Sequence, residues 1–374
     1  MGLYLNRRQW LKTSAFATAG LFASPDLSFL RKHSFDINPQ YESKEFIRLN
    51  NNESPYGISQ RAREAVAGSI RLSNRYPHRQ YQELKELIAE RENISPDNII
   101  LGAGSTEVMT TLIHFYRTRG EGLAADPTYF DFVYYAKVSD FLLHQIPLTE
   151  NYEHDLGAME QRINPKISLI YICNPNNPIG SITPKGKLYP FCERASQKAL
   201  VVVDEAYHEY VEDSPYGSMV DLVKKGKNVI VTRTFSKLFG LAGLRIGYGM
   251  TKPQIIESLE RIERNFAPVS NLSLKAAIAT YKDKEFCSFI KKKNREVKSY
   301  LYKELEKLGL YYVPSFTNFV FFRVSQDGKK MAKEFEARNI LIRSFVYNEN
   351  HWIRVSLGTK EEMNAFVSSL KDIV

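Results

Sequence analysis

Lys237 stands in the run Thr234-Phe235-Ser236-Lys237-Leu238-Phe239-Gly240-Leu241-Ala242-Gly243-Leu244-Arg245. A primary amine beside two hydroxyl side chains, with a guanidinium eight residues on, can do two jobs in one place. The amine can condense with a carbonyl. The hydroxyls, the guanidinium and a glycine-rich backbone that permits close approach can hold a phosphate. Upstream, Val203-Asp204-Glu205-Ala206-Tyr207 sets a carboxylate at the end of an apolar run and a phenol shortly after it. A structural N-cap followed by a packed aromatic is the plainer account of that pattern. Cys173-Asn174-Pro175-Asn176-Asn177-Pro178-Ile179-Gly180 reads as a turn. Gly104-Ser105-Thr106-Glu107 passes from strand to helix, where free N–H groups make an anion site. Asp126-Pro127-Thr128-Tyr129 and Asn74-Arg75-Tyr76-Pro77 each add a tyrosine. Arg343 and Arg354, in strand-like surroundings near the carboxyl end, offer planar forks suited to carboxylate or phosphate.

Together these groups meet the needs of pyridoxal 5'-phosphate. That cofactor takes a lysine imine, a carboxylate that keeps the pyridine nitrogen protonated, donors for the ring oxygen, and backbone donors with a cation for the phosphate. Over roughly Arg48 to Gly358 the sequence resembles the fold-type I aminotransferases of class I and II, and among them the histidinol-phosphate aminotransferases. The resemblance implies that Lys237 carries the cofactor as a Schiff base and shuttles the proton, and that Asp204 faces the pyridinium nitrogen. It gives Tyr207 and Asn177 the ring oxygen and stacks Tyr129 on the ring. The phosphate falls to Ser105, Thr106, Thr234, Ser236 and Arg245. Tyr76 is implied to reach the cofactor phosphate of a neighbouring subunit, hence a homodimer with shared sites. Arg354 is implied to grip the substrate carboxylate, and Arg343 the substrate's own phosphate in histidinol-phosphate enzymes. Asp204, beside a cationic ring, is expected to have a depressed pKa. Ile179 departs from the threonine usual after the second proline of its loop. The implied reaction moves an amino group between an amino acid or histidinol-phosphate-like amine and a 2-oxo acid such as 2-oxoglutarate. A decarboxylase or lyase on the same scaffold, and a non-catalytic cofactor-binding protein, are the rival readings, and amino-donor turnover separates them.

An α/β framework must position these groups. Ile99-Ile100-Leu101, Ser168–Ile172, Leu200–Val203 and Val229-Ile230-Val231 are continuous apolar runs alternating with helical periodicities such as Met109, Leu112, Ile113 and Tyr116. That pattern predicts a mostly parallel sheet covered by helices on both faces, with ligand-binding motifs past the carboxyl ends of its strands. After about residue 270 the pattern changes. A long charged amphipathic helix from Glu285 to Leu308 precedes strand-like Asn318–Val324 and Trp352–Leu357, with helices near Lys329–Arg338 and Lys360–Leu370. The expected division is a signal segment at 1–25, an arm joining the small domain at 26–54, a large cofactor-binding domain at 55–270 and a smaller α+β domain at 271–374.

The 374 residues are 43% hydrophobic and 25% charged, a globular composition rather than a disordered one. No run of eighteen apolar residues occurs, so no membrane-spanning helix is expected in the mature protein. The net charge of +9 is scattered, and Lys291-Lys292-Lys293 reads as a solvated helix face, so no nucleic-acid partner is expected. Cys173, Cys192 and Cys287 have no metal-ligand spacing and read as small buried hydrophobes. Arg7-Arg8, then Trp10-Leu11-Lys12 and an uncharged stretch from Thr13 to Ala23, resemble a bacterial twin-arginine signal, and no acid precedes Asp26. Export to the periplasm is therefore expected, with the cytoplasm as the alternative. That route carries folded proteins, so cofactor insertion would precede export and the thiols would not fold under oxidising conditions.

Overall fold

The computed structural model describes residues 46–212, 214–263 and 269–374. The expected signal segment and the first part of the arm lie outside the described residues. The chain divides after Phe46, and the structure set out below is that of Ile47–Val374.

Strand β1 (Ile47–Arg48) is followed by β2 (Ile99–Gly102), β3 (Glu121–Asp126), β4 (Leu143–Pro147), β5 (Ile167–Cys173), β6 (Leu200–Asp204), β7 (Val229–Thr234) and β8 (Gly247–Met250). Strands β2 to β8 form one seven-stranded sheet in the order β2-β8-β7-β6-β5-β3-β4. Strand β8 is antiparallel to both neighbours and the other pairs are parallel. The apolar runs become strands because their branched side chains suit a pleated surface buried on both faces. Alternation sorts them. Leu101, Ile170, Ile172, Val201, Val203, Val229 and Val231 enter one core. Ile100, Leu169, Tyr171, Val202 and Ile230 enter the core on the opposite face. The mostly parallel, helix-covered sheet is the architecture the sequence predicts.

The second sheet contains β9 (Tyr312–Val313), β10 (Phe319–Val324), β12 (Arg343–Tyr347) and β13 (Asn350–Ser356), while β11 (Ile340–Leu341) pairs in parallel with β1. The four strands are antiparallel in the order β12-β13-β10-β9. The helix Asn271–Tyr281 follows residue 270, yet its Leu274, Ala277, Ile278 and Tyr281 pack in the core of the large sheet. The change of core comes along the helix Lys284–Lys307, where the Asp283 side chain caps the Phe286 N–H. Its Ile290 joins the large core, and Val297, Leu301 and Leu305, one helical turn apart, join the small one. Ile179 is fully buried with Ala125, Leu148, Val313, Phe321 and Trp352, side chains drawn from both sheets. The apolar residue in place of threonine thus ties a site loop to the small sheet, a burial worth about 1.5–3 kcal/mol.

Candidate active site

Register along the parallel strands sets Cys173 beside Asp204 and Asp204 beside Thr232 at the carboxyl ends of β5, β6 and β7. Asp204 is 3% exposed. One carboxylate oxygen accepts from the Tyr171 hydroxyl at 2.8 Å, and the other from the Thr232 hydroxyl at 3.3 Å and the Ala206 N–H at 3.2 Å. The Tyr171 ring is fixed in turn by stacking on Phe132 at 3.8 Å. Among the described residues no cation forms an ion pair with Asp204, so burial outweighs the hydrogen bonds and pushes its pKa up to about 6. The depression expected from the sequence belongs to a carboxylate beside a cationic ring nitrogen; the protein groups by themselves push the other way. Desolvation acts on the carboxylate by itself, and only a cation at close range reverses the sign.

The helix Ser105–Tyr116 begins after Gly104, which has φ +87°. Its first N–H groups lack intrahelical partners and face the same cavity as Thr234, Ser236 and Arg245. Thr234 and Ser236 are joined by a 3.0 Å hydroxyl hydrogen bond. Arg245 donates to the carbonyls of Ala242 (3.0 Å) and Ala103 (3.4 Å). A Cβ at position 104 would sit 2.5 Å from the Arg245 guanidinium, and one at Gly247 would run into the Ser105 amide, so two glycines allow the helix start and the arginine to converge.

The Lys237 amine donates to the Asn51 carbonyl at 3.2 Å and lies 5.8 Å from the centre of the Tyr207 ring. Burial first, and then the nearby Arg354 cation, lower its pKa to about 8. The Tyr207 hydroxyl accepts from the Asn52 amide at 2.9 Å. Arg354 is 5% exposed and donates to the Asn177 side-chain oxygen and the Asn50 carbonyl, both at 2.6 Å. Burial lowers its pKa to about 10, and its Nε has no hydrogen-bond partner. Register between β12 and β13 places Arg343 opposite Arg354. Arg343 is exposed and donates to the Asn51 side chain at 2.8 Å.

A cavity of about 300 Å³ holds Lys237 among Ser105, Thr106, Tyr129, Asn177, Asp204, Tyr207, Thr234, Ser236 and Arg245. A second, of about 560 Å³, holds Arg343 and Arg354 and shares Asn51, Tyr129, Asp131, Asn177 and Lys237 with the first. The structure thus brings together every residue expected to touch the cofactor except Tyr76. That side chain is 75% exposed and lines neither cavity. A buried carboxylate at one end, and N–H groups with an arginine at the other, neither of them ion-paired among the described residues, fit pyridoxal phosphate in size and charge. Tyr171, Thr232 and Asp131 were not singled out from the sequence, whereas Asn51 and Asn52 lie in the segment Leu49–Gly57, which resembles the family's entry segment over the active site. For Tyr171 a signal existed: it precedes Cys173 by one strand period and so shares the face of Asp204. The partners of the two asparagines, Lys237 and Tyr207, lie at a distance in sequence that local pattern does not reach.

The family model for aminotransferases of class I and II matches residues 44–370. The histidinol-phosphate aminotransferase of Moorella thermoacetica is 35% identical over 342 residues, covering 91% of this chain and 88% of that protein. A crystal structure of a protein provisionally named a histidinol-phosphate aminotransferase, from Erwinia carotovora atroseptica, aligns with a TM-score of 0.83 at 30% identity over 87% of this chain and 95% of that one. The Sinorhizobium meliloti histidinol-phosphate aminotransferase in complex with pyridoxal-5'-phosphate has the same fold, with a TM-score of 0.81 at 24% identity over 90% of this chain and 94% of that one.

Proposed function

The chain belongs to the class I and II aminotransferases and is a pyridoxal-phosphate transaminase, and on that premise we propose that it moves the amino group of an anionic donor, an amino acid or a histidinol-phosphate-like amine, to a 2-oxo acid such as 2-oxoglutarate. The observation that carries this reading is Arg354: a nearly buried guanidinium beside Lys237, bonded to an amide and a carbonyl but to no acid among the described residues. A cation kept out of water without a counter-ion is poised for a ligand carboxylate or phosphate.

When bound, pyridoxal phosphate supplies an aldehyde to which the Lys237 amine attaches and a ring that takes up the electron pair released at the substrate α-carbon. The residues supply orientation and proton transfer. Lys237, with a pKa lowered to about 8, can take a proton from the α-carbon at its Nζ and return it near neutral pH. Asp204 would supply the negative charge that keeps the ring nitrogen protonated. The Tyr207 oxygen already accepts from Asn52, which leaves its own proton free to donate toward the ring oxygen. Asn177 accepts from Arg354 through its oxygen, which leaves its NH₂ as the second donor there. Thr234, Ser236, Arg245 and the start of the helix Ser105–Tyr116 would hold the phosphate.

Two further readings belong to the proposal. Tyr76, exposed and outside its own chain's cavities, reaches the cofactor phosphate of a second copy, which makes the protein a homodimer with shared sites. Arg7-Arg8 and the uncharged stretch behind them direct export, and an exported enzyme meets ordinary amino acids rather than a biosynthetic phosphate ester. The test is a panel of amino donors added to the purified, cofactor-loaded protein. Anionic donors should bleach the cofactor absorption, 2-oxoglutarate should restore it, and borohydride should fix cofactor mass on Lys237. Loss of carbon dioxide from the donor, or no spectral response to any amine, would overturn the reaction class.

A further inference from the structure

The cavity that holds Arg343 and Arg354 is also lined by one carboxylate, Asp131, which reaches into the cofactor cavity as well. Asp131 sits in the first turn of the helix Phe130–Val138. One of its oxygens accepts the Tyr129 hydroxyl at 2.6 Å, and no Lys, Arg or His among the described residues forms an ion pair with it. Its charge is nonetheless felt by Arg354, whose guanidinium it helps keep protonated. Two guanidinium groups and one acid therefore line the same cavity as Lys237. Helix-dipole stabilisation accounts for an acid in a first helical turn. It does not account for an acid that lines both cavities at their junction.

We propose that Asp131 is a specificity-determining residue, selecting amino donors whose side chain carries a positive charge. The proposal rests on the reading of Arg354 as the anion anchor. A ligand with its anion on the arginines fills the cavity and displaces water from Asp131. A cationic side chain then supplies the missing partner. An apolar side chain leaves the acid desolvated with no cation to face it, so the residue favours the first class over the second.

The probes are 4-guanidinobutanoate and 4-ureidobutanoate, two acids of equal length that differ in charge at the far end and carry no amine to react. Calorimetric titration into the cofactor-loaded protein should show the guanidino acid binding at least about tenfold tighter, the scale of one charge-assisted hydrogen bond. Asp131→Asn should bring the ratio close to one, while Tyr129→Phe, which removes the phenol's bond and keeps the acid, should preserve it. Equal affinities in the wild type, or a ratio unchanged by Asp131→Asn, overturns the proposal. So does a collapse of the ratio in Tyr129→Phe, which would make Asp131 a positioning residue for the ring. A lowered melting temperature in Asp131→Asn with the ratio intact assigns it to helix stability and also overturns it. If neither acid binds the wild type, the anchor reading of Arg354 fails and the proposal with it.

Discussion

The amine of Lys237 should capture its cofactor quickly at neutral pH because its surroundings have already loosened its proton. An ordinary lysine titrates at 10.5, and burial together with Arg354 brings Lys237 to about 8. At pH 7 the free-base fraction is then about 9%, against about 0.03% for the ordinary group, roughly a 300-fold gain in reactive amine. Mixing cofactor-free protein with pyridoxal phosphate in a stopped-flow cell gives the attachment rate from the visible absorbance. That rate should climb about tenfold between pH 6 and 7 and about fivefold between pH 7 and 8, and above pH 8 it should level off. Arg354→Met removes the second cause and leaves burial, the first, in place. Its bend should move upward, but only part of the way to 10.5. A wild-type rate that keeps rising through pH 10, or a bend that does not move in Arg354→Met, would refute this account of the lysine.

Asp204→Asn should lower the turnover number by about 10²–10³, because the ring nitrogen loses its charge partner. The cofactor-free form should behave in the opposite way. A carboxyl raised from 3.8 to about 6 favours folding most below 3.8 and loses that contribution as pH rises through 6. Thermal melts of cofactor-free Asp204→Asn should therefore show a gain over the wild type at pH 7.5 that vanishes near pH 3.5. Arg354→Ala should cut kcat/KM by about a hundredfold for every donor, the cost of a lost charged hydrogen-bond pair. Arg343→Ala, at an exposed arginine, should cost up to about fivefold only for donors with a second anion, as steady-state kinetics on paired donors would show. Mixed dimers of Lys237→Ala and an inactive Tyr76 variant should recover part of the activity, since one of the two sites keeps both residues. Replacing Arg7 and Arg8 by lysine should hold the protein in the cytoplasm, as cell fractionation would report.

Much of the site was legible because its parts are local. A glycine before a helix, a lysine following two hydroxyls and an acid ending an apolar strand each state their chemistry within a few residues. The sheet was legible for a related reason: strands buried on both faces carry unbroken apolar runs, and Val201-Val202-Val203 needs no distant partner to be recognised. Asp204 shows where such reading stops. Its position followed from its motif, but the direction of its pKa depended on which charges and dipoles surround it in space.

The amino-acid sequence by itself determined the layered α/β architecture, the order of the cofactor motifs and the placing of Lys237 within one of them, because propensity and backbone geometry act over short stretches of chain. Tertiary structure alone decided the contacts that tune them. Asn51 is 186 residues from Lys237, Asn52 is 155 from Tyr207, and Arg354 is 177 from Asn177. Ile179 became a core residue, and Asp131 and Arg354 came to face one cavity, only when the two sheets packed together. Desolvation and Coulomb forces depend on distance through space and on the exclusion of water, and neither is set until the chain has folded.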